Sequence, residues 1–147
     1  MSSRSRRREN RIATVQYLYS WDINRPDDLH DSVRRFFVNK EEPRDQYGFG
    51  EELLYGVLEK LDEVDAEIRA LTMNWDFKRI AKIDLAILRL AIYELLFRRD
   101  IPPVVTINEA IEIGKLFSNE DAKRFINGIL DKMKDKLDRP LRQAALD

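Results

Sequence analysis

The clearest pattern in the chain is an apolar stripe near its end. Ala122, Phe125, Ile126, Ile129, Leu130, Met133 and Leu137 recur at the three- and four-residue spacing of one helical face. Asn127-Gly128 favours a hairpin turn when alternating strands flank it, but here the stripe passes through it unbroken, so the spacing predicts helix. Ser118, with Asp121 three residues on, marks the start of that helix. Upstream, Thr106-Ile107-Asn108-Glu109 has the form of a capping box and predicts a helix from there to about Phe117, behind a break at Pro102-Pro103. Residues 82–98 are apolar on nearly every side (Ile83, Ile87, Leu90, Ala91; Leu85, Leu88, Ile92, Leu95), which places them at the centre of a bundle. Residues 47–72 read as one long amphipathic helix through Phe49, Leu53, Val57, Leu61, Val64, Ile68 and Leu71, with Glu59, Asp62, Glu63 and Glu67 on a solvated face. A shorter helix over Asp28–Val38, a polar loop at Lys40–Gln46 and a helical turn near Asp76–Ala81 complete the middle. The first helix runs from near Arg6 to about Ile23. No segment alternates as a strand does. The pattern predicts an all-α fold of about seven helices, with residues 1–147 forming one domain.

Composition narrows the class. With 147 residues and 44% apolar content the chain can build one real core, and 36% charged residues suit helices with charged outer faces. It has no cysteine, which removes disulfides and thiolate metal sites. No apolar run approaches the ~18 residues of a membrane span, and the basic start lacks the apolar stretch of a secretory signal. A cytoplasmic location is the expectation.

Charge changes the picture more. The net charge of −1 conceals a basic end: Arg4, Arg6, Arg7, Arg8 and Arg11 stand against Glu9 alone in residues 1–11. If this segment is helical, Arg4, Arg7, Arg8 and Arg11 share an arc of about 100°. Val15 and Leu18 lie on that same arc, with Ile12 and Tyr19 at its edge. A guanidinium is not buried unpaired, so residues 1–11 are expected to overhang the packed body or to fold on a ligand. Such an end suits a nucleic-acid backbone, where arginine offers bidentate phosphate contacts and stacking. A solubilising tail explains the charge equally well. Three to five phosphate contacts with single-stranded RNA would give log K against log salt a slope of roughly −2 to −3.5.

Several blocks together resemble the NusB antitermination family. They are Arg7-Arg8 and Arg11 with Val15–Trp21; Ile83-Asp84, Ala86–Ala91 and Tyr93–Leu95; Ile101-Pro102 with Ile107–Glu112; and Glu120-Asp121, Phe125, Asn127-Gly128 and Leu130–Lys132. They occur in family order over nearly the whole chain. The resemblance implies a seven-helix fold of two packed helical subdomains. It also implies binding of boxA-like single-stranded RNA with the ribosomal protein NusE, inside the RNA polymerase antitermination complex, and leaves monomer or homodimer open. It maps an arginine-rich motif onto Arg7, Arg8 and Arg11, extends the RNA surface to Asp121, Arg124 and Phe125, and puts Tyr19 and Asp84 on the NusE-facing surface. Arg4 and Arg6 join the RNA set by charge.

Each role has a plainer alternative. Phe125 lies on the apolar stripe, Tyr19 sits at the edge of the core arc, Asp84 can offset a helix dipole, and Asp121 can cap. The chain departs from the family pattern at Glu9-Asn10, at Leu85 and at Ala122. Two further readings are a stand-alone adapter in ribosomal RNA maturation and a helical protein–protein module. Catalysis is not expected: His30 is the one histidine and has no evident partner, Gly48-Phe49-Gly50 lacks a phosphate loop's strand and lysine, and the acids follow helix exteriors. No metal or cofactor is implied.

Overall fold

The computed structural model describes residues 3–145 and contains seven α-helices and no strand among them. They are α1 (Ser3–Ile23), α2 (Leu29–Val38), α3 (Gly48–Glu59), α4 (Leu61–Leu71), α5 (Lys82–Phe97), α6 (Pro103–Phe117) and α7 (Glu120–Lys136). Short 3-10 turns at Arg44–Tyr47 and Phe77–Arg79 precede α3 and α5. In one half, α1 packs on α3 while α2 closes over the first 3-10 turn. In the other, α4, α6 and α7 pack together around α5. Helix α5 also meets α1 and α3, so the two subdomains share one continuous core.

The centrality predicted for residues 82–98 follows from their sequence. From Asp84 to Leu95 every residue is buried, and each fully buried Leu or Ile contributes about 1.5–3 kcal/mol. Three polar members of α5 are held by partners on other elements. Asp84 accepts from Ser118 Oγ at 2.6 Å. Arg89 reaches Asp65 of α4 through two bonds of 2.9 Å and Asp22 of α1 at 3.4 Å. Glu94 accepts from Arg11 of α1 and from Thr106 of α6.

Three boundaries differ from expectation. The helix over 47–72 breaks at Lys60 (φ −101°, ψ 19°) into α3 and α4. The bend lets the first part lie on α1 and the second turn toward α7. Helix α6 begins at Pro103, where the missing N–H costs nothing, rather than at the Thr106 capping box. Thr106 is buried, and its hydroxyl serves Glu94 instead of a cap. At α7 the cap is Asn119, whose Oδ1 accepts from Ala122 N at 2.8 Å, because Ser118 is committed to Asp84.

Helix α1 approaches α3 closely at Gly50, where a Cβ would stand 2.9 Å from the Asn10 carbonyl oxygen. Asn10 Oδ1 accepts from Gly50 N at 2.7 Å, and Thr14 Oγ1 donates to Gly50 O at 2.9 Å. After α7 the chain folds back: Ala145 N donates to Arg99 O, and Arg139 donates to carbonyls at the end of α5. No described helix is long and apolar enough to cross a membrane.

Candidate nucleic-acid interface

The arginines of α1 divide into two kinds. Arg11 is buried at 2% exposure. Its Nε and Nη2 each donate to the Glu94 carboxylate at 2.9 Å. This corrects the expectation that residues 1–11 overhang the body: the arc shared with Val15 is a core arc, and Arg11 occupies it because Glu94 neutralises it there. Asn10 is equally committed, to Gly50, Arg6 O and Gln46 O, so its departure from the family pattern is a clamp between α1 and α3.

Arg6, Arg7 and Arg8 lie further out. Arg6 and Arg7 are exposed and form no ion pair among the described residues; Arg7 sits 4.3 Å above the Phe49 ring. Arg8 is half-buried and donates to Glu109 of α6 through bonds of 2.8 and 3.0 Å, a contact that pushes its guanidinium further above its usual range. The Arg4 side chain lies outside the described residues. Helix α1 has no acidic residue in its first turn, so these cations crowd the positive end of its dipole. An anion placed there relieves both repulsions at once.

Helix α6 joins this end to the start of α7. The Glu112 carboxyl is held below its usual range chiefly by the hydrogen bond from Lys115, with further attraction from Arg8 and Lys123. Cations of α1, α6 and α7 therefore surround one acidic spot. At the start of α7, Asp121 and Arg124 are exposed and paired at 3.4 Å. Phe125 is half-buried: it packs on the core, as its place in the stripe requires, and also meets Trp75 edge to face at 5.1 Å. Trp75 is 62% exposed, and sequence reasoning missed it because it belongs to no periodic segment.

The NusB family model matches residues 8–135. The chain belongs to the NusB family. It is 44% identical over 133 residues to the transcription antitermination protein NusB of Geobacter sulfurreducens, covering 89% of this chain and 95% of that one. The structure of T. maritima NusB is similar, with a TM-score of 0.80, 32% identity and 95% coverage of both chains. A chain in a crystal structure of the antitermination factors NusB and NusE with double-stranded RNA has the same fold, with a TM-score of 0.79, 22% identity, and coverage of 90% of this chain and 98% of that one.

The two residues expected on a partner surface, Tyr19 and Asp84, sit near one end of the α1–α5 pair. Helices α1 and α5 run antiparallel, since Arg11 meets Glu94 while Asp22 meets Lys82 and Arg89. Tyr19 is 40% exposed there. Asp84 is buried and bonded to Ser118, so it shapes this end from beneath and presents little surface of its own. The open basic end of α1 and the Tyr19 end are therefore separate.

Proposed function

We propose that this chain is a transcription antitermination factor that binds boxA-like single-stranded RNA together with the ribosomal protein NusE. In this reading it acts in the cytoplasm as one non-catalytic RNA-binding domain of the RNA polymerase antitermination complex. The observation that carries it is the exposed, ion-pair-free Arg6–Arg7 pair at the positive end of α1. Arg8 joins once phosphate displaces Glu109. Asp121, Arg124 and Phe125 extend the surface across α6, and Tyr19 contributes to NusE binding at the other end of α1. A protein of the same fold occurs with NusE and RNA, which supports the pairing of partners.

Removing Arg11 from the contact set lowers the expected salt dependence. Three phosphate contacts, from Arg6, Arg7 and Arg8, give a slope of about −2 for single-stranded RNA. Gel shift or fluorescence anisotropy with boxA-like and scrambled RNA, with and without NusE, tests the reading. Preference for the boxA-like sequence, strengthened by NusE, is expected. The double substitution Arg6→Ala/Arg7→Ala should reduce the slope by about 1.4. A salt-independent affinity, or no affinity, would overturn it.

A further inference from the structure

Trp75 is the largest side chain left open in the described structure, and its position is firmly held. It follows α4 in a tight turn: Trp75 N donates to Thr72 O at 2.8 Å. Buried Thr72 anchors that turn through its own N–H and hydroxyl to Ile68 O. Asp76 then caps the next 3-10 turn, accepting from Lys78 N at 3.0 Å. The indole is thus not at the tip of a long loop. It is nonetheless 62% exposed, with Met73 two residues before it at 84%. Its one ring partner among the described residues is Phe125, met at 5.1 Å with the planes 68° apart. An edge-to-face pair occupies at most one face of the indole, which leaves the other open.

The surroundings indicate what would cover that face. Arg124 is exposed next to Phe125, and Lys78 and Arg79 are exposed on the 3-10 turn that follows Trp75. Cations therefore adjoin both aromatic residues along the chain, Arg124 paired with Asp121 at 3.4 Å and Arg79 with Asp76 at 3.9 Å on exposed sites that phosphate can compete for. Through Lys123 and Glu112 the surface continues to Arg8. An open aromatic face between cations is the combination that binds single-stranded nucleic acid: bases stack on the ring while the charges follow the backbone.

We infer that Trp75, backed by Phe125, is a stacking platform for an unpaired RNA base, placed beyond the arginine end of the same track. The inference rests on the proposed RNA binding and adds a residue and a recognition mode to it. Phe125 is the support that orients the indole, and Trp75 is the surface the base meets. Stacking of this kind tolerates any base, so this platform adds affinity more than sequence preference.

The test uses the full chain, a short single-stranded oligoribonucleotide carrying a boxA-like sequence, and a Trp21→Phe background that leaves Trp75 as the single indole. RNA is expected to quench Trp75 emission. Trp75→Ala should weaken RNA binding at least about fivefold while leaving the salt slope unchanged, because stacking releases no counterions. Trp75→Tyr should restore most of the loss, as a merely structural role would not predict. Trp75 is exposed, so these variants should unfold at the parent urea midpoint. If RNA binds with the expected salt slope but Trp75→Ala binds equally and emission is unchanged, the platform is overturned and the RNA reading stands. No RNA binding by the unaltered chain overturns both. Loss of NusE binding with RNA affinity intact overturns the platform in favour of a protein contact.

Discussion

The resemblance implies a place for Arg11 in an arginine-rich RNA motif, the structure puts it in the core, and the two roles predict different outcomes when it is removed. Its side chain is 3% exposed and that of Glu94 is 1% exposed, with two hydrogen bonds of 2.9 Å between them. Removing one member of such a pair strands a buried charge and costs about 3–5 kcal/mol. With a urea m-value of about 2 kcal/mol per M, Arg11→Met should lower the unfolding midpoint by about 1.5–2.5 M. Total stabilities of about 5–15 kcal/mol leave room for the variant to fold. Arg6→Ala and Arg7→Ala, at exposed positions, should stay within about 0.5 kcal/mol of the parent. The double variant Arg11→Met/Glu94→Gln removes both charges and keeps an acceptor for Thr106, so it should recover part of the loss. Urea unfolding followed by circular dichroism measures all four. A midpoint for Arg11→Met within about 0.25 M of the parent, together with lost RNA affinity, would refute the reasoning and return Arg11 to the RNA surface.

Two further outcomes follow from other contacts. Glu109→Gln removes the charge that competes with phosphate for Arg8, so RNA affinity should rise while the salt slope stays at about −2, that of three phosphate contacts; a salt titration by anisotropy checks it, and an unchanged affinity would count against Arg8 as a phosphate contact. Two carboxyls predict the acid limb of stability. At Asp22, burial raises the pKa, but Lys82 and Arg89 outweigh it and hold the carboxyl below 3.8; at Asp100 the Arg98 guanidinium does the same. A lowered folded value means this stability is present above the unfolded value near 3.8 and is lost as pH falls through the lower folded one. Asp22→Asn should therefore destabilise at neutral pH and show a flatter decline below about pH 4 when urea midpoints are compared across pH.

Local periodicity carried much of the architecture, and pairings distant in sequence were what it left out. Residues 82–98 were legible as the central helix because no face of them is polar enough for water. The stripe from Ala122 to Leu137 likewise predicted α7, Asn127-Gly128 included. The break at Lys60 was not legible: the apolar stripe runs through it, and only the placement of α1 and α7 requires the bend. The wheel correctly put Arg11 on the arc of Val15 and Leu18, but its partner Glu94 lies 83 residues away, beyond any local pattern. Overhang was therefore inferred where neutralisation holds. Thr106 and Ser118 were read as caps for the same reason, since their acceptors Glu94 and Asp84 are on another helix. Phe125 packs on the core, as its place in the stripe requires, and also meets Trp75, a contact no local pattern could announce.

The buried charged residues of α5 stand five apart, at 84, 89 and 94. Five residues turn a helix by about 140° and advance it about 7.5 Å. Asp84, Arg89 and Glu94 thus point in three directions spread around the axis, each toward a different set of neighbours. An apolar cylinder can roll or slide in a greasy socket at little cost, but this one is keyed like a shaft with three teeth at different heights. A shift by one turn would unseat all three together and leave buried charges without counterparts. The uniqueness of the packing at the centre of the molecule therefore rests on its few charged residues, while the many apolar ones supply the adhesion.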